Sequence, residues 1–155
     1  MGLILNWKQA RDYREQFNGK VVFTNGVFDI LHRGHLDYLT EAREYGDALI
    51  VGVNSDISAA SLNKGSGRPF NNEGDRSYLL SKLEPVDVVI LFNQPTPLEL
   101  IEIIQPDILV KGGDYTIDKV VGRNSVETRG GKVIIIPLTK GYSTSDLIER
   151  IKKIK

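Results

Sequence analysis

Five continuous apolar runs punctuate the chain: Lys20–Thr24, Ala48–Val53, Val86–Phe92, Asp107–Val110 and Val133–Ile136. Runs this short and rich in Val, Ile and Leu suit strands buried on both faces. The segments between them follow a different period. Leu36, Leu39, Ala42 and Tyr45 recur at helical spacing over residues 36–45. A second helix is predicted from about Glu73 to Leu83, and a third over Thr96–Gln105, where Pro97 suits the first turn. Asn63–Asn72 reads as a polar loop. Asn6–Phe17 predicts a helix before the first strand, with Trp7, Ala10, Tyr13, Arg14 and Phe17 near one face. Ser143–Ile154 predicts a closing helix carrying Leu147, Ile148, Ile151 and Ile154.

Strand and helix in alternation predict an α/β fold, doubly wound about a mainly parallel sheet of five strands. Residues 1–155 read as one domain, with residues 1–18 as an N-terminal helical extension and no repeat, low-complexity tract or linker to divide it. Ligands of such sheets bind beyond the carboxyl ends of the strands, near the point where strand order reverses. The loops after Thr24, Val53, Phe92, Val110 and Ile136 are therefore the places to look for chemistry.

Composition narrows the function. Twenty basic and twenty acidic side chains balance to a formal charge of zero, whereas a nucleic-acid binder usually carries a basic surplus. The absence of cysteine excludes a disulfide framework, a thiolate metal site and a cysteine nucleophile. No apolar run approaches the ~18 residues of a membrane span, and Met1–Trp7 lacks the basic flank and apolar length of a signal peptide. The expectation is a cytoplasmic protein that engages neither membrane nor nucleic acid.

The densest chemical signal follows the first strand: Thr24-Asn25-Gly26-Val27-Phe28-Asp29-Ile30-Leu31-His32-Arg33-Gly34-His35. Gly26 allows a sharp turn at the strand end. Gly34 lies where a helix should begin, and the free N–H groups there attract anions. His32 and His35, the chain's two histidines, fall on one side of that first turn. Imidazoles so placed can donate to phosphate oxygens that gain charge during reaction. The competing readings are histidines that satisfy local hydrogen bonds, or a zinc site, which would need Asp or Glu to complete it.

Three further segments carry weaker signals. Asn63-Lys64-Gly65-Ser66-Gly67-Arg68-Pro69 is either a flexible surface loop or one that brings Lys64 to a polyphosphate. Lys111-Gly112-Gly113-Asp114-Tyr115 is either a structural turn or a place where a ligand approaches the backbone, with Asp114 free to accept sugar hydroxyls. Gly141-Tyr142-Ser143-Thr144-Ser145-Asp146 opens the last helix, where Ser and Thr are ordinary caps that can also hold phosphates.

The Thr24–His35 phrase resembles the nucleotidyltransferase superfamily marked by a His-x-Gly-His motif, in its cytidylyltransferase-like branch. Asp47–Asp56, Arg68-Pro69, the Lys-Gly-Gly-Asp-Tyr phrase, Gly130-Gly131 and Gly141–Ser145 agree in order. Within that branch the chain is similar to the adenylyltransferases that form ADP-heptose from ATP and a heptose 1-phosphate. The resemblance spans roughly Asn18 to the end and implies a Rossmann-like nucleotidyltransferase fold. It implies catalytic roles for His32, His35 and Lys64. Nucleotide contacts are implied for Thr24, Asn25, Gly26, Phe28, His32, His35, Lys111, Gly112, Ser143 and Thr144, and substrate contacts for Asp29, Arg76 and Asp114. It also implies Mg²⁺ carried on the nucleotide phosphates, with no metal site of the protein's own.

Some cytidylyltransferase relatives place an arginine where this chain has Leu138, which weakens a glycerol-phosphate cytidylyltransferase reading and leaves phosphate neutralisation there to a lysine such as Lys140. A non-catalytic nucleotide sensor is the other alternative, although it could dispense with both histidines. No Gly-x-Gly-x-x-Gly follows a strand and no Gly-x-x-x-x-Gly-Lys-Ser/Thr is present, which disfavours dinucleotide-dependent dehydrogenases and P-loop NTPases. Because members of the family associate, a homodimer is expected. Trp7, Tyr13 and Phe17 offer either an apolar face for it or a cap on the domain's own core.

Overall fold

Val21 to Phe23, Ala48 to Val53 and Val88 to Ile90 are all shut off from solvent, as strands covered on both sides require. The computed structural model describes residues 1–62, 65–113 and 115–154. In chain order the elements are β1 (Leu3–Ile4), α1 (Trp7–Gln16), β2 (Val21–Gly26), α2 (Arg33–Glu44), β3 (Ala48–Asn54), α3 (Asp56–Ala60), α4 (Glu73–Ser81), β4 (Val88–Phe92), α5 (Leu98–Ile104), β5 (Ile108–Gly112), a 3₁₀ turn (Ile117–Lys119), α6 (Arg123–Thr128), β6 (Lys132–Ile136) and α7 (Thr144–Lys152).

The sheet has six strands in the order β1-β4-β3-β2-β5-β6, and every neighbouring pair is parallel. The fold is thus the doubly wound α/β form expected, with one more strand. β1 adds to the edge of β4 through Leu3 opposite Val88, so the segment before residue 18 is part strand and not helix alone. From β2 the chain winds outward through β3 and β4, then returns to lay β5 on the other side of β2. The reversal opens a crevice at the carboxyl ends of β2 and β5, which is where such sheets hold ligands.

Side chains alternate across the sheet and build a core on each face. Val21, Phe23, Ile50, Val88 and Ile90 meet Ala10 of α1, Leu100, Ile101 and Ile104 of α5, and Val126 of α6. Val22, Leu49, Val51, Val89 and Val110 meet Tyr38, Leu39 and Ala42 of α2 and Leu80 of α4. Trp7, Tyr13 and Phe17 pack onto the first core, and the Trp7 indole donates to the Leu91 carbonyl at 2.8 Å. Of the two uses expected for these aromatics, the structure selects the cap.

At the end of the sheet away from the crevice, acidic side chains fix the strand starts. Asp87 accepts the Leu49 amide, and Asp107 accepts the Val21 amide, each at 2.8 Å. Arg43 and Arg14 respectively neutralise these carboxylates. With one end pinned in this way, the loops at the opposite end are presented from a fixed frame.

Candidate active site

Beyond the ends of β2 and β5 lies an open cleft of about 590 Å³. Asn25, Gly26, Phe28, Asp29, His32, His35, Lys111, Gly112, Ser143 and Thr144 all reach it, so one cleft gathers residues from three separate loops. Arg68, Tyr115, Leu138 and Tyr142 complete much of its wall.

The first loop is tightly wound. Phe28 adopts a left-handed φ of 51°, a conformation uncommon for a bulky side chain and one that clusters at functional sites. Its ring folds back over Gly26, where an added Cβ would lie 2.9 Å from Phe28 Cε2. Glycine at 26 is therefore a packing requirement as well as a turn residue. The chain then enters α2 with His32 as the N-cap residue, in extended backbone.

Both histidines sit on this helix start with their ring centroids 3.9 Å apart and planes inclined by 27°. His35 Nδ1 accepts the His32 amide at 3.3 Å, which places the proton of a neutral His35 on Nε2. The Nδ1 atom of His32 is buried and has no hydrogen-bond partner among the described residues. Burial pushes the His32 pKa below its ordinary value. The positive terminus of the helix acts in the same direction. His32 is thereby held toward its neutral form, in which its ring keeps one N–H to donate.

Lys111 at the end of β5 crosses toward β2, its Nζ 3.4 Å from Asn25 Oδ1 and 5.4 Å from the centre of the Tyr115 ring. Gly112 is confined between Tyr38 and Leu138, because a Cβ there would meet them at 3.0 and 3.1 Å. At the head of α7, Ser143 Oγ caps the Asp146 amide at 3.0 Å and Thr144 Oγ1 lies 3.4 Å from the Ile30 carbonyl. The last helix therefore leans on the histidine-bearing loop. Lys140 is exposed and stands outside the cleft wall among the described residues.

Two sequence expectations change, and a third acquires a structural role. Thr24 has no exposed surface, and its hydroxyl is taken by Tyr38 Oη at 2.6 Å, so it supports α2 from beneath and does not reach a ligand. Arg76 is likewise sealed. Its guanidinium donates to the carbonyls of Asn71, Val27 and Asn54 and to Asp56 Oδ1, at 2.7–3.0 Å. It ties α4 to the ends of β2 and β3 and is no contact for a sugar phosphate. Asp29 reaches the cleft, but its two oxygens accept the amides of Phe70 and Asn71 at 2.8 and 2.9 Å. Its carboxylate anchors the segment that carries Arg68 and Pro69 over the cleft, and each oxygen keeps a further lone pair for the substrate contact that the resemblance implies.

Lys64 and Asp114 lie outside the described residues. Arg68, to which the sequence reading gives no ligand role, lines the cleft with Lys111 as a second cation. Its signal was the Gly-Ser-Gly-Arg-Pro phrase itself, a basic residue between two conformational constraints. Tyr142 and Tyr115 were equally unassigned.

The family model for cytidylyltransferase-like proteins matches residues 23–150. The bifunctional protein HldE of Citrifermentans bemidjiense is 54% identical over 139 residues, which are 89% of this chain and 28% of that protein. HldE of Magnetococcus marinus is 47% identical over 155 residues, 98% of this chain and 32% of that one. The chain thus spans about a third or less of the length of these relatives. Among solved structures, a lipopolysaccharide core biosynthesis protein from Thermoplasma volcanium is similar with a TM-score of 0.65 and 34% identity, over 81% of this chain and all of that one. The pantoate-beta-alanine ligase of Francisella tularensis shares the fold at a TM-score of 0.60 and 17% identity, over 98% of this chain and 77% of that one.

Proposed function

This chain belongs to the cytidylyltransferase-like family, and from that premise we propose that it is a nucleotidyltransferase that moves AMP from ATP to a heptose 1-phosphate. The observation that carries the reading is the stacked pair His32 and His35 at the amide-rich start of α2, facing a cleft that also holds Lys111 and Arg68. Four donors around one space suit a triphosphate, whose charge shifts during reaction. The heptose acceptor rests on the sequence resemblance, in which the Lys111–Tyr115 phrase is the narrowing feature.

In the proposed reaction an oxygen of the sugar phosphate attacks the α-phosphorus of ATP. The new P–O bond forms as the bond to the β-phosphate oxygen breaks, and pyrophosphate leaves. The protein aligns the two phosphates and neutralises charge, with no covalent enzyme intermediate. His32 and His35 donate to the oxygens around the reacting phosphorus. Ser143, Thr144 and the first amides of α7 take the departing phosphates, and Lys111 and Arg68 balance their charge. Asn25, Gly26, Phe28 and Gly112 shape the seat of the nucleotide.

Lys64 and Asp114 are assigned by resemblance to the loop cation and to the sugar contact. Asp29, the carboxylate among the described lining residues, is engaged with two amides, and no cluster of potential metal ligands is found among the described residues. Mg²⁺ carried by the triphosphate, as the resemblance implies, would lower the net charge of the phosphates.

Pyrophosphate release tests the proposal. ATP with a heptose 1-phosphate should release it, whereas CTP with glycerol 3-phosphate should not. Release only from the second pair would overturn the choice of substrates, and ATP binding without release from any acceptor would favour a sensor. No helix among the described residues is long and apolar enough to cross a membrane.

A further inference from the structure

We propose that Tyr142 is a positioning residue for His32, its ring completing an aromatic column that fixes the imidazole at the head of α2. The column begins at Phe28, whose ring centroid lies 5.6 Å from that of His35. It continues from His35 to His32 at 3.9 Å, and from His32 to Tyr142 at 6.4 Å with planes inclined by 24°. The two outer separations fall in the range of favourable ring pairs, and the two imidazoles stack more closely still.

The buried Nδ1 of His32 offers no hydrogen bond for this task among the described residues. His35 is oriented by the His32 amide at its Nδ1, but His32 Nδ1 has no such partner among the described residues. Ring contacts are what remain to set the plane of His32. The backbone is arranged to permit them: at Gly34 a Cβ would stand 2.9 Å from Tyr142 Cβ and 3.0 Å from His32 Cε1. Any side chain there would separate the tyrosine from the imidazole. Tyr142 is held in turn by Gly141, with φ of 84°, by the Ser143 cap, and by the Arg33 guanidinium 5.8 Å from its ring centre.

The inference rests on the nucleotidyl-transfer reading of the cleft, but one of its tests does not. Tyr142→Phe keeps the ring, Tyr142→Ala removes it, and Tyr142→Leu fills the space without one. Loss of the ring should lower kcat about tenfold or more, as expected for a displaced reacting group, while Tyr142→Phe retains wild-type turnover. The second readout is titration of the His32 ring by NMR, in a chain with only two histidines to resolve. The ring should titrate below the ordinary histidine range in the wild type and in Tyr142→Phe, and closer to it in Tyr142→Ala. The other titratable and charged groups of the cleft, His35, Arg68, Lys111 and Asp29, are the same in every variant, and Arg33 keeps a ring to stack on in Tyr142→Phe while losing it in Tyr142→Ala and Tyr142→Leu alike.

An unshifted His32 titration in both Tyr142→Ala and Tyr142→Leu overturns the proposal, whatever turnover does. Equal loss of kcat in Tyr142→Phe also overturns it, since the hydroxyl would then be acting on substrate. Should the wild type release no pyrophosphate, the functional reading fails, and the titration still decides the role of Tyr142.

Discussion

His35 receives the backbone amide of His32 on its Nδ1 atom at 3.3 Å, so the two motif histidines are constrained by different means. One is locked by a hydrogen bond, the other by its ring neighbours alone. Both nevertheless present an imidazole to the cleft.

Replacing either histidine by alanine should lower kcat by ~10²-fold or more, the scale seen when one positioned donor to a developing anion is removed. Neither ring belongs to the hydrophobic core, so circular dichroism and the unfolding midpoint should stay near wild type. Pyrophosphate release under steady-state conditions measures the first effect. Turnover within twofold of wild type in either variant would contradict the assignment.

Asp29→Asn should loosen the segment that carries Arg68. An amide side chain has one acceptor oxygen where the carboxylate offers two, so either the Phe70 or the Asn71 amide loses its partner. A charge-assisted bond contributes ~2 kcal/mol, enough to raise the population of the open segment by about tenfold or more. Hydrogen exchange of the Phe70 and Asn71 amides should accelerate by that order, and the KM for nucleotide should rise with it.

Arg76→Ala leaves three carbonyls and the Asp56 carboxylate without their donor. Removing one partner of so buried an arrangement costs ~3 kcal/mol or more. Urea denaturation should show that loss for Arg76→Ala and a substantial part of it for Arg76→Lys, because an ammonium cannot reproduce the guanidinium fork. A selective rise in the KM for sugar phosphate at unchanged stability would instead restore the ligand role that the sequence suggests.

His32 gives stability a pH dependence of known sign. Burial lowers its folded pKa, so below about pH 6.5 the unfolded chain takes up this proton more readily than the folded one. Stability from this group therefore falls as pH drops from about 6.5 toward the folded value, and none of that cost is present above pH 7. Urea midpoints at pH 7.5 and 5.5 should differ less in His32→Asn than in wild type.

Much of the frame could be read from the chain because β2, β3 and β4 are covered on both faces, and double burial leaves uninterrupted Val, Ile and Leu. β1 has two half-exposed residues and exists only because Leu3 and Ile4 meet Val88 and Val89, a pairing across some eighty-five positions that no local pattern records. The five-residue α3 is similarly set by its surroundings, with Ser55 capping Ser58 and Glu73 accepting the Asp56 amide. The cleft was legible where residue type itself states the chemistry, as with the histidines, Lys111 and Ser143. Arg76 and Thr24 were misplaced for one shared reason. A polar residue near a ligand loop looks available to a ligand, and what removes Arg76 is carbonyls 5, 22 and 49 residues away, none of which advertises itself in sequence. Tyr142 was hidden because stacking on a distant imidazole has no periodic signature.

The outward and return winding around β2 has a bearing on how such a protein can change. Each strip of the cleft wall is the tip of its own crossover, rooted in a separate strand and sharing little backbone with the next. A lineage can thus rewrite the tip after β5 or β6 to suit a new acceptor while the histidine turn after β2 stays untouched, and the old chemistry travels intact to the new cargo.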